Sequence, residues 1–298
     1  MTVRDIAFIG VGRMAGPMAR RFTARGWPVH LLDPDPEAVR PFRDDPLARV
    51  HATVEEVAGH ADVALLSLPT PAALEEVGEQ LTAPVANRKL RYVVNTSTAG
   101  VDTTRDIAAA LEDVGLSFVD APVSGGGAGA ARGSLSVIVS GDPDAVAACH
   151  PLFEVIGSHV TVVGEHPGQA QVVKLANNVL SLGALAATAE ATTLTSRAGI
   201  PLDLAIRVLD VSSGRNSSTA EKFPDEVLTG RYDFGHPARA ALKDVALFTS
   251  LADELGLTTP LARAVADTWR LAVTEGYGDQ DCTRIVTMFQ RLNGVDRG

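Results

Sequence analysis

The 298-residue sequence predicts an α/β chain in two parts: a doubly wound domain over residues 1–164 and an all-α domain over 165–298, joined by one long interdomain helix. Three observations carry this. Up to about residue 164, short β-rich runs alternate with helix-length segments, the pattern of right-handed βαβ units on a mostly parallel sheet. After Gly168 the strand signal stops. From there to about residue 197 runs a stretch apolar nearly all round, about 45 Å long if helical at 1.5 Å per residue.

The strands are expected in the runs "IAFIG", "VHLLD", "DVALLSLP", "YVVNTST", "SFVDAPV", "SVIVSG" and "HVTVVG", taken in order. Each is short, rich in β-branched residues and bounded by turn formers. In the second half, Gly199, Gly256 and Gly276 follow helical periodicity and suit the left-handed residue that ends a helix. The long helix, apolar on most sides, is expected to be enclosed by other helices or by a second subunit.

Composition narrows the function. A formal charge of −10 disfavours nucleic acid and anionic membranes, which are bound through clustered Lys and Arg. Cys149 and Cys282 are two and far apart, and the seven histidines form no HxxxH or HxH pair, so neither a disulfide framework nor a metal site is expected. The apolar N-terminal stretch is too short and too glycine-rich for a signal peptide. The run Val179–Ala189 falls short of the roughly 20 residues that span a bilayer. A cytoplasmic protein is expected.

In "IAFIGVGRMAGPMARRFTARG", Gly10, Gly12 and Ala15 fall on G-x-G-x-x-G/A, directly after a strand and opening a helix. The first glycine permits the turn, the second lets backbone approach a pyrophosphate, and the third small residue lets helix and strand pack closely. Asp33 ends the next strand 23 residues after Gly10, where a carboxylate binds the adenosine ribose hydroxyls. This is a Rossmann-type fingerprint, with Gly10, Val11, Gly12, Arg13 and Met14 as the phosphate loop. Asp33 favours NAD over NADP because it would repel a 2′-phosphate, while Arg13 nearby leaves NADP open.

Three further segments, "FVDAPVSGGGAGAARGSLSVIVSGD" (118–142), "GQAQVVKLANN" (168–178) and "SSGRNSS" with "ALKDVALF" (212–218, 241–248), resemble the β-hydroxyacid dehydrogenases in order and spacing, with 3-hydroxyisobutyrate dehydrogenases nearest. The resemblance covers essentially the whole chain. It implies a dehydrogenase in which Lys174 is the catalytic acid/base and Asn178 orients substrate. Read from the residues alone, Lys174 and Asn178 are i and i+4 on one helix face, with Asn177 adjacent, and a lysine beside an amide can hold and protonate one carbonyl oxygen. The resemblance further implies that Ser124, Gly125 and Gly126 hold the substrate carboxylate, that Asp244 lies at the substrate, and that Lys243, Leu68, Pro69 and Thr98 contact the cofactor. It also implies a homodimer or homotetramer acting on a small carboxylate.

The chain departs from the family pattern at Ala15 for the third glycine, Asn95 for an aspartate, Ala73 for an asparagine, Gly100 for a proline, and at Asn216. The expected reaction is interconversion of a small 3-hydroxy acid and its semialdehyde. Alternatives on the same lysine are reductases of glyoxylate, tartronate semialdehyde or succinate semialdehyde and dehydrogenases of β-hydroxy amino acids. Imine reductases are disfavoured by Lys174, and a non-catalytic nucleotide-binding regulator by the intact lysine and SGG turn.

Overall fold

The computed structural model describes residues 3–295, which divide into two compact units between Lys174 and Leu175. The first is built on β1 (Ile6–Ile9), α1 (Ala15–Thr23), β2 (Val29–Leu32), α2 (Pro36–Val39), β3 (Ala48–Val50), α3 (Val54–His60), β4 (Val63–Leu66), α4 (Pro71–Thr82), β5 (Tyr92–Asn95), α5 (Val101–Glu112) and β6 (Ser117–Asp120). After these come β7 (Val123–Ser124), α6 (Gly126–Arg132), β8 (Leu135–Gly141), α7 (Pro143–Ile156) and β9 (Gly157–Gly164).

Six parallel strands lie in the order β3-β2-β1-β4-β5-β6. That order reverses between β1 and β4, the crevice where an open α/β sheet takes its ligand. The sheet continues with β8, antiparallel to β6 and β7, and β9 parallel to β8.

Alternation along the strands feeds two cores. Ile6 and Phe8 point to a cluster with Phe22 and Phe153, whereas Ala7 and Ile9 join Leu66 and Leu74 on the opposite face. Strands buried on both faces carry continuous apolar runs, which is why they stand out in the sequence. Two strands went unforeseen. β3 is an edge strand with Arg49 and Val50 exposed, and β7 has only two residues, so neither shows a periodic signal.

Histidines far apart in sequence converge in this unit. His30 on β2, His51 after β3 and His60 at the end of α3 stack with ring centroids 5.0, 5.1 and 5.9 Å apart, and His30 Nδ1 lies 2.8 Å from His51 Nε2. Burial, then the neighbouring His51, pushes His30 down to about 4; burial, then His60, lowers His51 as well. The unfolded chain takes up these protons near pH 6.5 and the folded chain does not, so stability is fully present above 6.5 and is lost as pH falls toward 4. One such site gives a slope approaching about 1.4 kcal/mol per pH unit. Denaturant melts from pH 7 to 4.5 should show this decline, and replacing His30 should flatten it; a wild-type profile already flat would contradict the buried neutral pair.

The second unit is helical. The long helix α8 (Gln169–Arg197) begins in the first unit and continues into the second, followed by α9 (Leu202–Asp210), a π-helical stretch Ser218–Val227, α10 (Ala238–Glu254), α11 (Pro260–Ala272) and α12 (Ile285–Leu292). Gly199 and Gly256 follow α8 and α10 with φ of 82° and 68°, as expected of helix-ending glycines. The core gathers Leu185 and Ala189 of α8 with Phe223, Val245, Trp269 and Met288.

α8 is not enclosed within its own chain, because Leu180 and Leu194 are 73% and 72% exposed. By length and a mean hydropathy of 1.3 it could also cross a bilayer. Its buried Lys174, Asn178, Thr188 and Thr192 suit the inside of a folded protein instead.

Candidate active site

The nucleotide-binding edge of the first unit is made by backbone. Gly10 sits at φ 82°, and a Cβ there would lie 2.4 Å from the Ser67 carbonyl oxygen, so only glycine lets the loop after β1 touch the loop after β4. A Cβ on Gly12 would meet nothing within 4 Å, leaving the open approach a pyrophosphate needs. The tight helix contact falls one residue later than expected. A Cβ on Gly16 would come 2.9 Å from the Val11 carbonyl oxygen, so close packing depends on Gly16 as well as on the buried Ala15.

Asp33 directly follows β2, with both oxygens engaged. Val11 N–H donates to Oδ2 (2.6 Å) and Asp35 N–H to Oδ1 (2.9 Å). Each carboxylate oxygen retains a further lone pair for a ribose hydroxyl. Arg13 and Met14 lead into α1, while Leu68 and Pro69 follow β4, where Leu68 N–H donates to Ser97 Oγ (2.8 Å). Thr98 lies half-buried in the loop after β5.

The glycine turn after β6 packs against this edge. Ser124 closes β7, paired with Ser136, and Gly125 and Gly126 open α6 at φ of 129° and 64°. A Cβ on Gly127 would lie 3.1 Å from the Arg13 carbonyl oxygen, so the start of α6 rests on the phosphate loop. The structure therefore brings the expected carboxylate-binding turn to the expected dinucleotide loop within one unit.

The start of α8 is fixed by a residue that sequence reading missed. Gln171 is fully buried; its Oε1 accepts from Ala99 N–H (3.1 Å) and Gly100 N–H (3.3 Å), and its Nε2 donates to Ser97 O (3.1 Å) and Asp120 Oδ1 (2.7 Å). Asn95 Nδ2 donates to the same Asp120 oxygen (3.3 Å). Burial pushes the Asp120 carboxyl up to about 7, against the pull of these hydrogen bonds. A second carboxylate at position 95 would repel Asp120, whereas the amide found there supplies a donor. Lys174 follows Gln171 by three residues and is itself buried.

In the second unit Asn178 is tied to α10. Its Nδ2 donates to Asp244 Oδ2 (2.7 Å), and its Oδ1 accepts from Asn177 Nδ2 (3.2 Å). Asp244 is 1% exposed; Lys243 Nζ lies 3.0 Å from Oδ1, and His236 Nε2 lies 3.5 Å from Oδ2. The amide orientation is thereby set, leaving one N–H of Asn178 Nδ2 to offer a substrate oxygen. His236 carried no sequence signal, because it joins this cluster only through the fold.

Comparison with known proteins agrees with this fold. Residues 5–164 match the model of the NAD-binding domain of 6-phosphogluconate dehydrogenase, and residues 168–289 match that of NADP-dependent 3-hydroxyisobutyrate dehydrogenase. The chain is 31% identical to an NAD-dependent L-serine dehydrogenase of Pseudomonas aeruginosa, over 98% of this chain and all of the relative. It is 33% identical to a 3-hydroxyisobutyrate dehydrogenase of the same organism, over 86% and 88% of the two chains. The chain belongs to the β-hydroxyacid dehydrogenase family.

A solved 3-hydroxyisobutyrate dehydrogenase of Salmonella typhimurium superposes with a TM-score of 0.84 at 28% identity, covering 95% of this chain and 99% of that one. As a β-hydroxyacid dehydrogenase the protein is an oxidoreductase that uses a nicotinamide dinucleotide, and the loop at Gly10–Gly12 with Asp33 fits one. A carboxylate at Asp33 is expected to oppose a 2′-phosphate. We expect kcat/KM with NAD to exceed that with NADP at least tenfold, about 1.4 kcal/mol. Equal rates with the two cofactors would remove Asp33 from the ribose.

Proposed function

We propose that this protein oxidises a small 3-hydroxy acid to its semialdehyde with NAD, or runs the reduction, using Lys174 as the general acid/base. The observation that carries the reading is the buried Lys174, on the helix whose start Gln171 anchors and one helical turn before Asn178. The bound nicotinamide supplies a hydride acceptor. Lys174, neutral, takes the hydroxyl proton during oxidation and, protonated, returns it during reduction. Asn178 steadies the reacting oxygen through its free N–H, with Asp244 fixing the amide. Ser124 and the N–H groups of Gly125 and Gly126 hold the carboxylate, because the first N–H groups of a helix have no partner within it. Lys243 and the Leu68, Pro69 and Thr98 loops line the cofactor.

The test is NAD reduction across a panel of 3-hydroxyisobutyrate, 3-hydroxypropionate, L-serine and L-threonate, followed by the reverse reaction with the matching aldehydes. No turnover with any of them would reject the reading. We further propose a homodimer or homotetramer that covers the exposed Leu180 and Leu194 face of α8, and a cytoplasmic setting, supported by the buried, unbridged Cys149 and Cys282.

A further inference from the structure

Lys222 lies in the π-helical stretch and is 4% exposed. Its Nζ donates to Ser181 Oγ (3.0 Å) and Ser217 Oγ (3.1 Å) and sits 5.2 Å from the centre of the Phe234 ring. An ammonium has three donors, so one remains beyond these two hydroxyls. Among the described residues no carboxylate makes an ion pair with it. Glu221, next along the chain, and the buried Cys282 are the acidic groups that register on it, and burial holds the Cys282 thiol neutral. An ammonium taken out of water without a counter-charge costs several kcal/mol. This one is unbalanced.

Its position says what could balance it. Ser181 is three residues beyond Asn178 on α8, so the two side chains share a face one turn apart. Phe234 is two residues before His236, which contacts Asp244, the partner of Asn178. Lys222 is thus linked to the Asn178–Asp244 pair through Ser181, one helical turn from Asn178, and through Phe234, two residues from His236. Ser218 lies four residues before Lys222 in the same stretch, fully buried, and its Oγ has no hydrogen-bond partner. The stretch is wound as a π-helix through Pro224, a form that recurs at functional sites.

We propose that Lys222 determines substrate specificity by pairing with a second carboxylate, carried on the arm of the substrate that extends beyond Asn178. The preferred substrates are then 3-hydroxy dicarboxylic acids. This rests on the proposed dehydrogenase reading, with Ser218 as a supplementary donor to the same group.

The experiment compares 3-hydroxyisobutyrate with 2-(hydroxymethyl)succinate, which carries a carboxylate on the methyl, in wild type and Lys222→Met. Wild type should favour the dicarboxylate in kcat/KM by about 10²-fold, and the variant should lose that preference, since unmet polar groups in a built site discriminate strongly. Lys222→Arg should retain part of it. A merely structural lysine would lower both substrates together and leave their ratio unchanged, which would overturn the proposal, as would a wild-type preference for the monocarboxylate. If L-threonate rather than the dicarboxylate shows the Lys222-dependent preference, the partner is a hydroxyl arm and the carboxylate assignment fails. Should wild type oxidise none of these, the dehydrogenase reading fails separately, and Lys222 is judged from thermal melts with NAD present. There, methylsuccinate should raise Tm above isobutyrate in wild type but not in Lys222→Met, and equal shifts would overturn the assignment.

Discussion

Replacing Lys174 by alanine should lower kcat by about 10²–10⁴-fold, the usual worth of a positioned acid/base, while NAD affinity stays close to wild type. The two effects separate because Lys174 is proposed to act on the substrate hydroxyl, whereas the dinucleotide is expected at Gly10–Gly12 and Asp33. One group serving both directions also imposes opposite pH trends: oxidation quickens as pH rises, because the neutral amine must accept the hydroxyl proton, and reduction is favoured in acid. Both trends should vanish in Lys174→Ala. Steady-state rates in each direction from pH 6 to 10, together with NAD titration by fluorescence, measure all of this. A variant with near-normal turnover and an unchanged profile would reduce Lys174 to a structural residue.

Converting the carboxylate of a good substrate to its methyl ester should cost about 10²–10⁴ in kcat/KM, since hydrogen bonds to a charged group contribute roughly 1.5–3 kcal/mol each and two or three are at stake. The proposed donors are Ser124 Oγ and the N–H groups of Gly125 and Gly126, whose positive φ values turn the backbone at the head of α6. Ser124→Ala should weaken the acid and leave the ester nearly unaffected, so the acid-to-ester ratio falls. An ester processed as well as the acid would detach this turn from substrate binding.

The sheet was legible because parallel strands buried on both faces carry unbroken apolar runs, and the dinucleotide loop because its requirements lie within a few consecutive residues. Pairings between distant residues were not. Asn178 and Asp244 are 66 positions apart and Gln171 and Asp120 are 51 apart, so no local pattern announces that they share hydrogen bonds. Lys222 is a surface residue by composition and a buried one by fold. Apolarity of α8 suggested enclosure, yet composition cannot tell a face that packs in the chain from one that leaves Leu180 outside. Gly16 was passed over because Ala15 already met the fingerprint, although the close backbone approach also falls on the next residue.

Asp33 joins two traits that cofactor engineering treats as separate. The carboxylate expected to discriminate the ribose also accepts from the Val11 amide of the phosphate loop at 2.6 Å. A substitution that welcomes a 2′-phosphate therefore slackens the grip on the pyrophosphate in the same stroke. Natural drift from one dinucleotide to the other would have to pass through a lineage poor with both, unless a new acceptor for the Val11 N–H arose first. The expected preference for NAD is thereby tied to the shape of the phosphate loop by a single backbone hydrogen bond.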